Sequence, residues 1–301
     1  MSRDILLLPF LTAAALVAAC SSETDGASGG AGGSSTGTAT GSGGSSSSSS
    51  SSRGAGAGTT SAGGGGVGGS GPLGCDDPSL TLCVDFEDAD DGGFPTGWGP
   101  RGDEWGEGVI GVASDDARHG NKSLKADGGN NGQHFMDYKG DLGALASHHY
   151  GRVYMKVATP APWPSGGVLH ADFIEGLGPG PGGSNHNVRW GVVENTQMMF
   201  QWIYNVQPSN APEFAEGTSY VYTWDGSWQC IEWMYDEPSQ QGTLWIDGAE
   251  IPLVPGANHA AEIPVFSSLG VGLANYQDAG AGFTVWFDDL AYDDERIGCP
   301  D

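Results

Sequence analysis

Beyond residue 74 the chain consists of short runs in which apolar and polar side chains nearly alternate. Such runs cover 82–86, 123–126, 134–138, 151–157, 169–175, 187–193, 198–205, 229–235, 242–246, 269–276 and 283–292. A period of two over four to eight residues, rich in branched and aromatic side chains, predicts half-buried strands. Turn formers separate the runs: Asp91-Gly92-Gly93, His119-Gly120-Asn121, Gly128-Gly129-Asn130, the Gly/Pro cluster at 176–185, Asp225-Gly226, Asp247-Gly248 and Asp278-Ala279-Gly280. Asp247-Gly248, set between Trp245-Ile246 and Ala249-Glu250-Ile251, predicts a tight hairpin. No ten-residue stretch shows helical periodicity, and no internal repeat is visible. Many short strands joined by Gly-rich turns predict an all-β sandwich or barrel.

Composition confines that domain to 75–301. Residues 21–72 hold 19 Gly and 16 Ser and no aromatic residue, whereas all ten Trp follow Gly97. The Gly/Ser run cannot bury enough surface to offset its chain entropy, so it reads as a flexible tether. About fifty such residues reach roughly 40 Å, at ~5–6 Å × √n. Ahead of the tether, residues 5–17 have the length of a signal-peptide apolar region and fall short of the ~20 residues of a membrane span. They run into Leu16-Val17-Ala18-Ala19-Cys20. This resembles the bacterial lipobox, in which cleavage before the Cys exposes it for lipid attachment. An ordinary signal peptide with a chance Cys is the competing reading. The expectation is an exported lipoprotein, anchored through Cys20 in the outer membrane or at the cell surface, with residues 1–20 as its signal peptide.

Charge narrows the partners. The formal net charge is −26, and after residue 74 there are 34 Asp and Glu against 9 Lys and Arg. Nucleic-acid binding needs a basic face that releases counterions, so it is excluded. Docking on an anionic bilayer by charge is excluded likewise, leaving the lipid as the only membrane contact. A monomer is expected. Of five Cys, four remain if Cys20 is lipidated, an even number suited to an exported chain. Three pairings are open. Cys75–Cys83, closing a short loop at the domain entrance, and Cys230–Cys299, tying the chain end to a strand, are expected. The spacing of Cys75 and Cys83, with no second close pair, argues against a metal site.

Several segments taken in order carry a resemblance. They are Val84-Asp85-Phe86-Glu87, His119-Gly120-Asn121-Lys122-Ser123-Leu124-Lys125, Asn131-Gly132-Gln133-His134-Phe135, Gly151-Arg152-Val153-Tyr154-Met155-Lys156, Trp228-Gln229-Cys230-Ile231-Glu232-Trp233, the 244–251 hairpin, Val285-Trp286-Phe287-Asp288-Asp289-Leu290 and Arg296-Ile297-Gly298-Cys299. Over about residues 82–299 this set resembles the Cip family, the cellulose-induced secreted proteins of fungi and their bacterial relatives. The resemblance implies a jelly-roll β-sandwich of two antiparallel sheets with a concave cleft, similar to glucuronan lyases and more distantly to alginate lyases. It also implies a Ca²⁺ site at one edge, with carboxylates from Glu87 and Asp288 and carbonyls from the turn at His119 to Lys122. Calcium takes six to eight hard oxygen ligands, and a protonated Lys side chain could offer only its carbonyl.

On acidic polysaccharides a lyase performs β-elimination. It must neutralise the uronate carboxylate, remove the C5 proton and protonate the leaving oxygen. The resemblance places His134, His170, Arg189 and Tyr276 on the concave sheet: Arg189 to neutralise, His134 or His170 as base, Tyr276 as acid or as both. Asn187 shares a strand face with Arg189 in Asn187-Val188-Arg189-Trp190. Gln197 or Glu194 stands near the family's cleft Gln, and Trp202 is a candidate sugar-stacking surface with Trp98, Trp105, Trp163 and Trp224. The expected function is a surface-tethered polysaccharide lyase acting on a glucuronic-acid-containing chain. The alternative is a non-catalytic, calcium-stabilised carbohydrate-binding module. An abundance of acids repels a polyuronide at long range, an effect that salt screens beyond about 8 Å.

Overall fold

A computed structural model of the chain describes residues 74–128, 131–160, 169–179, 185–194, 199–208, 214–253, 263–276 and 284–299. Among them sixteen strands run in this order: β1 (Leu82–Val84), β2 (Trp98–Pro100), β3 (Trp105–Gly106), β4 (Val109–Ala113), β5 (Ser123–Asp127), β6 (Gly132–Tyr138), β7 (His148–Val157), β8 (Leu169–Pro179), β9 (Asn185–Glu194), β10 (Phe200–Pro208), β11 (Phe214–Gly217), β12 (Gln229–Asp236), β13 (Gln241–Ile246), β14 (Ala249–Glu250), β15 (Ser268–Asn275) and β16 (Thr284–Asp293). One sheet has the order β14-β13-β12-β7-β16-β5-β4, with β1 added to β16. The other has the order β11-β10-β9-β8-β15-β6-β2, with β3 added to β6. Neighbouring strands pair antiparallel, and the first strand lies against the last, Cys83 opposite Ala291. The chain is a jelly-roll sandwich, as its motifs imply.

Alternation explains the two layers. On β9, Val188, Trp190 and Val192 join the core between the sheets, while Asn187 and Arg189 take the opposite parity. The core is aromatic: Phe173, Trp190, Trp202, Trp233, Tyr235 and Phe287 are all fully buried. Gly151 on β7 faces the Trp233 indole so closely that a Cβ there would collide with the ring. The predicted hairpin forms, with Ile246 opposite Ala249 and positive φ at Asp247 and Gly248, as a tight primed turn requires. Phe86, which the pattern extends into the first strand, has φ 69° and turns the chain out of β1 instead. The short strands β2, β3 and β11, and β4, are too brief or too Gly-rich to show in the pattern. Both expected disulfides are present, Cys75–Cys83 with Cα atoms 5.4 Å apart and Cys230–Cys299 with Cα atoms 5.9 Å apart. Cys20 lies outside the described residues.

Candidate functional site

The outward face of the second sheet gathers the chemistry. A register shift in β8 inserts Phe173 between Asp172 and Ile174, so Asp172 and Glu175, three residues apart, both face outward. Asp172 stands opposite Gly191, where any Cβ would collide with its carboxylate. Arg189 reaches it from β9: Nη1 lies 2.9 Å from Asp172 Oδ2 and donates to the Tyr276 hydroxyl at 2.6 Å. Nη2 donates to Asn205 Oδ1 at 3.0 Å. The Tyr276 hydroxyl in turn donates to Asp172 Oδ2 at 2.9 Å. His170 completes the group, with Nε2 3.6 Å from Asp172 Oδ1 and its ring centroid 4.9 Å from that of Tyr276. The exposed Trp105 ring lies 6.0 Å beyond Tyr276.

A second knot adjoins the first. Arg101, just after β2, donates to Asp137 from Nε at 3.1 Å and from Nη2 at 2.9 Å, and from Nη1 to Glu175. Its guanidinium lies over the Phe135 ring at 4.3 Å. Ser268 Oγ donates to Asp137, and Asn187 Nδ2 donates to Glu175 Oε2 at 3.2 Å.

Burial and pairing set the charges. Burial pushes the Asp172 carboxyl up, but Arg189, then His170 and Tyr276, hold it net below the usual carboxylate range. Glu175 goes the other way: burial outweighs Arg101 and Arg189 and raises it. The Tyr276 phenol is raised by burial first and then by Asp172 and Glu175, against Arg189. Tyr276 is therefore a neutral phenol, fit to give a proton rather than to take one.

The structure thus brings together Arg189, Tyr276, His170 and Asn187, and adds Asp172, Glu175, Asp137, Asn205 and Arg101. Asp172 carried a legible signal, since it alternates with Ala171 and Phe173 from His170, but Glu175 shares its face only through the bulge at Phe173. Arg101 carried none, since it follows a three-residue strand. Three expectations change. His134 shares the parity of Met136, which packs into the core, and its ring abuts Gly108 rather than the Tyr276 group. Trp202 also faces inward, fully buried against Phe173 and Phe200, so it cannot stack on a sugar. Trp98 is a core residue too, and Trp224 packs on Phe200 at the core's edge. Finally, Arg189 is 1% exposed and already meets Asp172, Tyr276 and Asn205, so it does not reach a uronate carboxylate as expected. Glu194 faces the core side, and burial pushes its carboxyl up to about 7. Gln197 and Trp163 lie outside the described residues.

The residues implied for calcium do not fit the ion. Asp288 Oδ2 accepts the backbone N–H groups of Arg118 (2.8 Å) and His119 (3.1 Å), and its Oδ1 that of Asp289 (2.9 Å). Glu87 Oε1 accepts the N–H groups of Asn121 (2.7 Å) and Lys122 (2.8 Å). Burial raises Glu87, but these N–H groups and Lys122 hold it net below its ordinary value. The His119 ring binds Asp289 at 2.5 Å. The turn therefore presents donors to these carboxylates, where a metal site would present oxygens. Among the described residues no group of three His, Cys, Asp or Glu is placed to hold a metal.

No family model matches the chain, and no curated protein matches it. Among solved structures the chain resembles the cellulose induced protein Cip1, at 23% identity over 72% of this chain and 99% of that one, with a TM-score of 0.49. It is also similar to an endo-β-1,4-glucuronan lyase from the fungus Trichoderma reesei, at 16% identity over 72% and 96% with a TM-score of 0.48. The alginate lyase Aly36B matches at 11% identity over 72% and 98%, with a TM-score of 0.44.

Proposed function

We propose that the outer face of the second sheet is a polysaccharide cleft that cleaves a glucuronic-acid-containing chain by β-elimination. The observation that carries this reading is the Tyr276 hydroxyl held between Arg189 and Asp172 beside His170. His170, part exposed, takes the C5 proton, and Asp172 steadies the imidazolium that results. As the C5–H bond breaks, the C4=C5 double bond forms and the C4–O bond opens. Tyr276 gives its proton to the leaving oxygen. Arg189, donating to the phenol oxygen, stabilises the phenolate left behind, charge that exists only late in the reaction. Solvent returns the proton from His170 to Tyr276. Asn187, on the same face as Arg189, is the amide for the uronate carboxylate. The domain works outside the cell, tethered through lipid on Cys20.

One observation favours a second reading, a non-catalytic carbohydrate-binding module. Both guanidiniums of the face, Arg101 and Arg189, are taken up by its own carboxylates. Such a face would hold a neutral glycan, with Trp105 stacking on it. The full chain incubated with glucuronan, alginate and pectate separates the two. Growth of the unsaturated-uronate absorbance is expected on glucuronan. Tyr276→Phe should keep the fold, at a cost of about 1–3 kcal/mol for the hydrogen bonds that Asp172 and Arg189 lose, and reduce the rate by about 10²–10⁴, the range for a positioned proton donor. No product from any of the three removes the lyase and leaves the binding module.

A further inference from the structure

The turn before β5 holds a cation of its own. Lys122 Nζ donates to the carbonyl oxygens of Glu87 at 3.2 Å and of Ala89 at 2.5 Å. The contact is reciprocal, because Glu87 Oε1 accepts the backbone N–H of Lys122 at 2.8 Å and that of Asn121 at 2.7 Å. Each residue thus binds the other's main chain with its side chain. Phe86, with φ 69°, bends the chain out of β1, and the Glu87 and Ala89 carbonyls that follow face the turn. Gly120 is required beside them, since any Cβ there would meet the Glu87 carboxylate.

We infer that the Lys122 ammonium stands where a calcium ion would clip the first strand to this turn, and that the clip is independent of metal. An ammonium has three hydrogens and suits two or three carbonyl acceptors; calcium demands six to eight oxygens at 2.3–2.6 Å. Backbone carbonyls serve either cation, but the two that Lys122 meets suffice for an ammonium and are far fewer than calcium needs. Asp85, Asp88, Asp90 and Asp91 crowd the same segment. A positive charge fixed covalently answers that acidity at any calcium concentration, whereas a bound ion would leave when calcium is scarce. The inference holds whether or not the cleft cleaves glycan.

Thermal melting of the full chain tests this, after exhaustive chelation and again with excess calcium. Expected are melting temperatures that agree within about 1 °C. A rise on adding calcium, or one calcium per chain retained through dialysis, overturns the inference. Lys122→Met keeps the stem and removes the ammonium. It should lower the melting temperature by on the order of 5 °C, with no recovery in calcium; an unchanged value overturns the role of the ammonium. Lys122→Asp replaces the cation with a ligand, so its melting temperature should come to depend on calcium. If it does not, ammonium and ion do not share a place. Should either variant fail to fold, the chelation and calcium-content measurements on the parent still decide the matter.

Discussion

Asp172 is fully buried, and its charge survives because Arg189, Tyr276 and His170 surround it. Breaking a buried pair from one side strands the other charge, at about 3–5 kcal/mol. Arg189→Ala should therefore cost roughly that much in urea denaturation, while Arg189→Met with Asp172→Leu should recover most of it. Losses that simply add, the double variant costing as much as Arg189→Met and Asp172→Leu together, would mean that the pair is not coupled. Arg189→Lys should rescue poorly, since an ammonium cannot serve Asp172, Tyr276 and Asn205 in one plane. Glu194 makes a pH prediction. Its folded pKa, about 7, lies above its ordinary 4.5 because of burial. The protonated form thus stabilises the fold fully below about pH 4.5, and that contribution disappears as pH rises through about 7. Glu194→Gln should gain in melting temperature relative to the parent between pH 5 and pH 8. A constant gap across that range would show that the carboxyl titrates normally.

At the scale of elements, β7 can cross Trp233 only because Gly151 has no side chain. Gly151→Val forces the indole or the strand to move, and overpacking of this kind costs about 1–3 kcal/mol. The expected drop in melting temperature is about 3–10 °C; no drop would show that the core at Trp233 is loose. The same alternation that hides Gly151 and Trp233 between the sheets was legible in the chain. The runs at 134–138, 151–157, 187–193 and 229–235 became β6, β7, β9 and β12 with little change of boundary. It also held a lesson about His134, whose spacing from Met136 already puts the two on one face. The inserted Phe173 in β8 was not legible, because a bulge depends on which neighbours the strand meets.

For the whole molecule, the two disulfides differ in the chain they close. Cys230–Cys299 spans 69 residues and Cys75–Cys83 spans 8. On the chain-entropy account the first contributes about 4 kcal/mol and the second about 2–3. Changing Cys230 and Cys299 to Ser should lower the melting temperature by about 10 °C, more than the matching change at Cys75 and Cys83. The reverse order would point to native contacts rather than loop length. Glu232 reinforces the longer closure by accepting the Gly298 N–H at 2.6 Å and Arg296 Nη2 at 2.9 Å. At the other end, Cys20→Ser should move the protein from the membrane fraction to the soluble exported fraction; retention on membranes would count against lipid anchoring.

The chain by itself determined the strand content, the inward parity of most core positions, the Asp247-Gly248 turn and an even number of cysteines beyond Cys20, whose pairing the structure chose among three. Each of these follows from neighbours two residues apart, a local turn or a count of cysteines. Only the tertiary structure decided which outward residues meet. It joined Arg189 to Asp172 and Tyr276, turned His170 toward them and His134 away, and set Lys122 on the Glu87 and Ala89 carbonyls. These contacts join residues on different strands and turns, far apart in sequence. A period of two says which face a side chain takes, but register, bulges and the crossing of sheets say what it finds there.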